Sequence, residues 1–441
     1  MPTILDEALL VYVLSDQNSN KFYRLRLHDD GSVHKLWGRV RVGSGDLSGQ
    51  SQIEQGGRAR FDRIYAEKTK KGYTRVQVAD TTMTGKAVAT TQLRETATAS
   101  LAGGSTDKVV TTLVDRLIAA NKHNLASSTG GAITVDVSGQ ARTALGVITA
   151  AAVDEARDLL GQMIDAPDPV TRGRLTEQYL RIVPHDIPVS YGRGWAPHWL
   201  AEQTSATKQR DLLDALAASA SFADAARRSA ATAKAGAIDE DFFRYRVHRL
   251  DAGSDEFKMV VDRFHTTKQA VHTRTYGLTP KYVYRLEDRR HGEDVRATAE
   301  RVRNVQRLWH GTGAANVLSI LQKGLFVPPT SGSGIHIAGR MFGDGVYLSK
   351  SATKSLNYSA GVWGGGRAEF TFMFLTQAAM GYEYRPSRNH GFTRFVRPGA
   401  DENGKWYDSV NALPELIPGL KNHEAVIADP MQVNLSWLVE F

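Results

Sequence analysis

Apolar and polar side chains alternate through VYVLSD and KFYRLRLHDD, the period of two expected of half-buried strands. Asp30-Gly31 closes the second run as a turn, and LWGRVRVGSGDLSGQ adds a further strand and a loop. The spacing then lengthens in FDRIYAEKTKKGYTRVQV, which reads as a helix with a basic end leading into a last strand. These runs predict a small antiparallel sheet with one helix, ending near residue 78.

Residues 79–106 are small and polar and contain no aromatic side chain, the composition of a linker. Beyond them Val110, Leu113, Val114, Leu117 and Ile118 recur at helical spacing. ARTALGVITAAAVDEARDLLGQM continues that spacing over several turns, and LTEQYLRIVPHDIP ends a further helix at Pro184. An Ala-rich stretch from about 207 to 235 completes a middle third, 107–235, that is expected to be helical. Strand-like runs resume in the last part, 236–441, so the chain divides into a sheet unit, a linker, a helical unit and a second sheet-containing unit. The fold class is multidomain α+β.

A chain of 441 residues is long enough for several cores, and 41% hydrophobic with 23% charged residues is ordinary for a folded protein. No apolar run reaches the roughly 18 to 20 residues of a membrane span. MPTILDEALLVYVLSD lacks a basic leader, so neither anchor nor secretion signal is expected, and an intracellular location follows. There is no cysteine and no HExxH-like pair among the 13 histidines, so no metal site is expected. The net charge of +8 permits a polyanionic partner. It is concentrated, because residues 20–78 hold 13 Lys and Arg against 6 Asp and Glu.

Four short motifs in the last third carry the chemistry: LWHGT at 308–312, GRMFGDGVYLS at 339–349, KSLNYS at 354–359 and NHEAVIAD at 422–429. Together they suit cleavage of the glycosidic bond of NAD+. Departure of nicotinamide leaves an oxocarbenium-like ribose that needs a nearby negative charge, for which Glu424 is the candidate. His310 can offer a ring nitrogen to a ribose hydroxyl, and Gly311 can offer backbone polar groups to the nicotinamide amide with no side chain in the way. Thr312 can add a hydroxyl, and Tyr347 and Tyr358 supply aromatic faces for a flat pyridinium ring. Singly, each has a plainer reading: a turn histidine, a solvated glutamate, core tyrosines.

Read in order through RLWHGTGAANVLSILQKGL, MFGDGVYLSKSATKSLNYS and NHEAVIADPMQVNLSWLVEF, residues from about 240 to 441 resemble the catalytic domain of the poly(ADP-ribose) polymerases, the diphtheria-toxin-like branch of ADP-ribosyltransferases. The resemblance implies a split, mostly antiparallel β structure with NAD+ as substrate in a cleft between two sheets. It implies a catalytic triad of His310, Tyr347 and Glu424, a second nicotinamide-stacking tyrosine at Tyr358, and Ser355 against the nicotinamide amide. Lys354 matches the family's active-site lysine, and Met341 a methionine of the acceptor site, which Glu424 also serves. The loop PPTSGSGIHIAGR departs from the pattern, with Phe326 where the family often has an adenine-side arginine, and the stretch before Glu424 is short.

Trp37-Gly38-Arg39, with NKFYRLRL before and Gly72-Tyr73 after, resembles the WGR domain that accompanies such catalytic domains and binds DNA ends. The resemblance implies stacking by Trp37 and phosphate contacts from Lys21, Arg39, Arg41, Lys68, Lys70 and Lys71. The alternative is a core tryptophan beside a solvated basic face. Residues 107–235, best in TEQYLRIVPHDI, resemble the family's helical regulatory domain, which implies autoinhibition released by DNA; an ungated helical scaffold is the plainer reading.

The expected organisation is therefore 1–78 WGR domain, 79–106 linker, 107–235 helical regulatory domain and 236–441 catalytic domain. The expected function is a DNA-break-activated NAD+ ADP-ribosyltransferase that makes poly(ADP-ribose) on itself and other proteins. A glutamate at 424, where family members limited to single transfers typically carry an apolar residue, is what suggests the polymer. The rivals are a mono-ADP-ribosyltransferase and a DNA-end binding scaffold with an inactive transferase fold. The compartment would be nuclear or nucleoid-associated, according to the organism.

Overall fold

The computed structural model describes residues 2–40, 48–75, 98–128, 133–135, 141–143, 146–206, 208–217, 219–220, 243–327, 341–343, 345–362, 370–388 and 399–441. Arg41, most of the expected linker, the Ala-rich residues after 220 and the loop 328–340 lie outside the described residues. The chain forms two compact units, one of Met1–Ala89 with Lys122–Asp224, the other of Thr90–Asn121 with Ala225–Phe441.

In the first unit the alternating runs become β1 (Ile4–Leu14), β2 (Ser19–His28), β3 (Ser32–Arg39) and β4 (Gln50–Gln55), followed by helix α1 (Gly57–Lys70) and the short β5 (Thr74–Arg75). They pair in the order β4-β3-β2-β1-β5, and all described pairings are antiparallel. Leu10, Leu25, Leu27 and Val33 from the sheet meet Phe61 and Ile64 from α1, which is why the apolar positions fall on one face of each element.

The expectation of an all-helical middle third, 107–235, needs correction between residues 133 and 147. Ile133–Val135, Ala141–Thr143 and Gly146–Val147 form a three-stranded sheet, β6, β7 and β8. The physical reason lies in the β-branched residues Ile133, Thr134, Val135, Thr143, Val147 and Ile148, which favour strand and resist the crowding of a helical turn. The helix begins only at Ala150, where the Thr149 side chain accepts the Ala152 N–H as an N-cap. A further helix, Pro169–Ile182, starts with an Asp168 cap and proline at its first position and stops two residues before Pro184.

In the second unit β9 (Tyr245–Arg249), β10 (Tyr282–Asp288), β11 (Val305–Gly311), β12 (Val346–Leu348), β13 (Phe372–Ala379), β14 (Glu383–Tyr384), β15 (Ser409–Ala412), β16 (Glu424–Ile427) and β17 (Val433–Glu440) build two sheets. Their orders are β11-β13-β17-β10-β9 and β12-β16-β15-β14, and only β14 and β15 run parallel. The helix Asp255–Thr266 covers the larger sheet, placing Val260 and Phe264 against Trp309, Met373, Leu375 and Val439. The amino-terminal part of the helix Lys108–Ser128 also belongs to this unit: Arg116 pairs with Glu440 at 2.9 Å, and Tyr284 donates to the same carboxylate at 2.8 Å.

Candidate active site

An isolated bridge joins the two sheets of the second unit: Trp309 and Ser349 exchange both backbone hydrogen bonds at 2.8 and 2.9 Å. That bridge brings His310, the next residue on β11, beside Tyr347 on β12. The His310 Nδ1 lies 3.0 Å from the Tyr347 carbonyl, which can only accept, so Nδ1 carries the proton. Desolvation pushes the His310 pKa below its ordinary value, keeping the ring neutral with a lone pair on Nε2. Tyr347 is braced in turn: its hydroxyl donates to the Gly343 carbonyl at 2.6 Å and accepts the Phe342 N–H at 3.1 Å.

Gly311 follows at the end of β11. A Cβ there would lie 1.8 Å from the Ser355 carbonyl oxygen, so only glycine permits this approach of strand and helix. The Ser355 hydroxyl donates to the Trp309 carbonyl at 3.2 Å, which leaves its oxygen as an acceptor. Thr312 is fixed by its N–H to the Ser359 hydroxyl at 3.2 Å and by the Asn316 amide donating to its own hydroxyl at 3.0 Å.

The helix Ala352–Ser359 is short, polar and almost entirely buried, an arrangement that requires each polar group to find a partner. Ser351 caps it by accepting the Lys354 N–H, Thr353 accepts the Gln269 N–H at 2.8 Å, and Thr275 donates to Asn357 at 2.8 Å. Lys354, 4% exposed, reaches across to Glu424, 7% exposed, with Nζ 2.5 Å from Oε2. The same ammonium lies 5.5 Å from the Tyr358 ring centre. Burial raises the Glu424 pKa, and the Lys354 charge and hydrogen bond oppose that rise. Burial and the Glu424 charge likewise lift the Tyr358 hydroxyl above its usual range.

Glu424 opens β16, which lies between β12 and β15 with Tyr347 opposite Val426 and Ala412 opposite Glu424. Met341 packs with Tyr347, Tyr384 and Leu420 around Phe342, Val410 and Val426, next to the same strands. His310, Tyr347, Lys354, Ser355, Tyr358, Glu424, Gly311, Thr312 and Met341 thus all sit on elements of one unit that meet around the Trp309 and Ser349 bridge. The chemistry available is a neutral imidazole acceptor, a glycine-lined approach, two tyrosines and a buried carboxylate partnered by a cation. Among the described residues no group of three His, Cys, Asp or Glu is placed to hold a metal ion.

Residues 254–394 match the model of the poly(ADP-ribose) polymerase catalytic domain, and residues 7–80 match the WGR domain. The chain carries a catalytic domain of the poly(ADP-ribose) polymerase type and a WGR domain. Two relatives span most of it: human "Protein mono-ADP-ribosyltransferase PARP3" is 24% identical over 415 residues, 88% of this chain and 74% of its own length. The mouse protein of the same name is 25% identical over 91% of this chain and 79% of its own length. A maize "Poly [ADP-ribose] polymerase 2" is 36% identical, but over 110 residues, 25% of this chain and 16% of its own. By its catalytic-domain match this chain is an ADP-ribosyltransferase with NAD+ as its substrate.

The WGR match falls on the first unit, where the residues expected at DNA are unequally disposed. Lys21, Lys70 and Lys71 are exposed, and Lys71 pairs with Glu67 at 2.7 Å along α1. Lys68 lies 4.0 Å over the Tyr23 ring, a cation held on an aromatic face. Trp37 is half-buried and stacked on Tyr23 at 5.7 Å, so the plainer core reading accounts for part of that tryptophan. Arg39 donates to the Asn18 carbonyl at 2.7 Å and to the Asn18 side chain and Ile187 carbonyl at 3.2 Å each, committing three of its donors inside the unit. It ties the WGR hairpin to the segment after the helix Pro169–Ile182.

Sequence reasoning missed the residues behind Glu424. His423, Asn411 and Glu383 form a buried hydrogen-bonded series, and Gln269 and Thr353 fix the base of the Lys354 helix. His423 lies inside a quoted motif, but its partners are remote in the chain, and no local spacing points to them.

Proposed function

We propose that this protein transfers ADP-ribose from NAD+ in response to DNA ends, extending the product into poly(ADP-ribose) on itself and on other proteins. The observation that carries the reading is Glu424, a carboxylate that stays buried because Lys354 stands 2.5 Å away. A surface glutamate needs no such partner, whereas a group that must meet positive charge in a dry cleft gains from one.

In this reading the pyridinium ring lies between Tyr347 and Tyr358, with its amide against the Gly311 backbone and the Ser355 oxygen. His310 Nε2 accepts a ribose hydroxyl. Glu424 accepts the 2′-hydroxyl of the nicotinamide ribose and stabilises positive charge on the ring as the bond from C1′ to nitrogen breaks. The bonding pair leaves with nicotinamide. An acceptor oxygen or nitrogen then bonds to C1′ and loses its proton. For elongation Glu424 orients the hydroxyl of a terminal ADP-ribose, with Met341 beside the acceptor.

Exposed Lys21 and Lys70 would meet phosphates, with Trp37 at the edge of the Tyr23 stack, and the helical residues would restrain the catalytic unit until DNA binds. Broken DNA places the protein in a nuclear or nucleoid compartment. Single transfer is the second reading, favoured by the two relatives that span most of the chain, both named mono-ADP-ribosyltransferases. The size of the labelled product formed from NAD+ on nicked DNA decides between them: a ladder means elongation, one band single transfer.

A further inference from the structure

We infer that His423 is a positioning residue for Glu424, holding the β16 carboxylate in register with His310 through a one-way series of hydrogen bonds that starts at the Glu383 carboxylate. This rests on the transferase reading and adds to it residues outside the set that meets substrate.

The direction of the series follows from its ends. The Lys350 backbone N–H, a donor only, lies 3.1 Å from His423 Nδ1, so Nδ1 must be the unprotonated nitrogen. His423 Nε2 therefore carries the proton and donates to Asn411 Oδ1 at 2.9 Å. That leaves the Asn411 amide nitrogen to donate to Glu383 Oε2 at 2.7 Å. Glu383 also receives Gln306 at 2.7 Å, Asn304 at 3.1 Å and Arg385 at 3.0 Å, which fixes it as the ionised acceptor. One tautomer of His423 satisfies every member, and His423 and Asn411 are both buried.

The series matters because of what it joins. The His423 carbonyl accepts the Ser349 hydroxyl at 2.7 Å, and Ser349 is the residue that bridges to Trp309. His310 follows Trp309, Tyr347 lies two residues before Ser349, and Glu424 follows His423. One imidazole thus grips the junction of the strands that carry the three residues. Burial and the Lys350 and Lys354 charges push its pKa down to about 3, so the ring remains neutral and the series keeps its direction. The nicotinamide-facing groups Ser355 and Tyr358 stand on a separate helix, Ala352–Ser359, and need none of these bonds.

The test is steady-state nicotinamide release from NAD+ by the full chain with nicked duplex DNA, comparing the parent with His423→Leu and His423→Asn. Leucine removes both bonds; asparagine places a carbonyl oxygen where Nδ1 stood and keeps the bond to Lys350. For His423→Leu kcat should fall about 10²-fold, the scale of a small misplacement of a reacting group, while KM for NAD+ and inhibition by nicotinamide change less than about threefold. His423→Asn should recover part of the lost kcat and no more, because the bond to Asn411 stays broken. A folded His423→Leu with the parent's kcat overturns the inference. So does a loss that weakens nicotinamide inhibition equally and is not recovered by asparagine, which would mark a packing role. A parent chain that releases no nicotinamide overturns the transferase reading itself, and the inference with it.

Discussion

The Lys354 ammonium stands 2.5 Å from the Glu424 carboxylate, joining the helix Ala352–Ser359 to strand β16 by an ion pair that is almost wholly removed from solvent. Burial acts on the carboxylate to raise its pKa, and the lysine acts to lower it. Removing the lysine lets burial act alone, so the Glu424 pKa rises. In the proposed mechanism turnover requires ionised Glu424, so Lys354→Met should move the acid limb of the kcat profile to higher pH. The midpoint of that limb, measured from nicotinamide release across pH, is the readout, and an unmoved midpoint would separate Lys354 from the ionisation of Glu424.

Glu424→Gln keeps the shape of the side chain and removes its charge. Turnover should fall about 10²- to 10³-fold, as when one preorganised electrostatic group is lost. Nicotinamide inhibition should be retained, because Tyr347, Tyr358 and Ser355 remain. Initial rates with the parent and variant at matched NAD+ concentrations check both statements.

Gly311→Ala places a methyl group where the Ser355 carbonyl already sits, 1.8 Å away. The strand and helix must part, so nicotinamide inhibition and turnover should both fall by at least about tenfold, the loss expected when a site shifts by a fraction of an ångström. Thermal unfolding should record a lower melting temperature as well.

The basic residues of the first unit should separate by role. Lys70→Ala removes an exposed cation and should reduce the salt slope of DNA binding by about one without changing the melting temperature. Arg39→Ala strips donors from the Asn18 and Ile187 carbonyls and should cost about 1 to 3 kcal/mol of stability. Binding titrations at several salt concentrations, beside thermal melts, distinguish the two outcomes.

Helical restraint is tested by replacing 122–224 with a flexible linker. The cut spares Arg116, whose pairing with Glu440 belongs to the catalytic unit. Basal nicotinamide release should rise and lose its dependence on DNA. An unchanged basal rate would make the helices a scaffold.

Much of the site was legible because its residues announce themselves locally. His310 and Gly311 are adjacent, Lys354, Ser355 and Tyr358 share one helix, and Glu424 closes an ordered set of motifs. The strands of the WGR sheet were legible for the same reason, since their alternation is a property of neighbouring residues. The His423, Asn411 and Glu383 series was hidden because it depends on pairing between strands far apart in the chain, and β15 and β16 are buried on both faces and show no alternation. Helical spacing was carried nine residues too early at 141–149, where the local preference of Thr143, Val147 and Ile148 for strand prevails until the Thr149 cap. The sequence left Trp37 open between a stacking and a core role and set Arg39 among the phosphate contacts, and only the fold reveals Tyr23 beneath one and the Asn18 and Ile187 carbonyls around the other.

The most direct test of the central claim is incubation of the full chain with adenylate-labelled NAD+, with and without nicked duplex DNA, resolving labelled protein by size beside Glu424→Gln. The account predicts label that depends on Glu424, is stimulated by DNA and spreads into a ladder. Protein that takes up no label and releases no nicotinamide under either condition would contradict it.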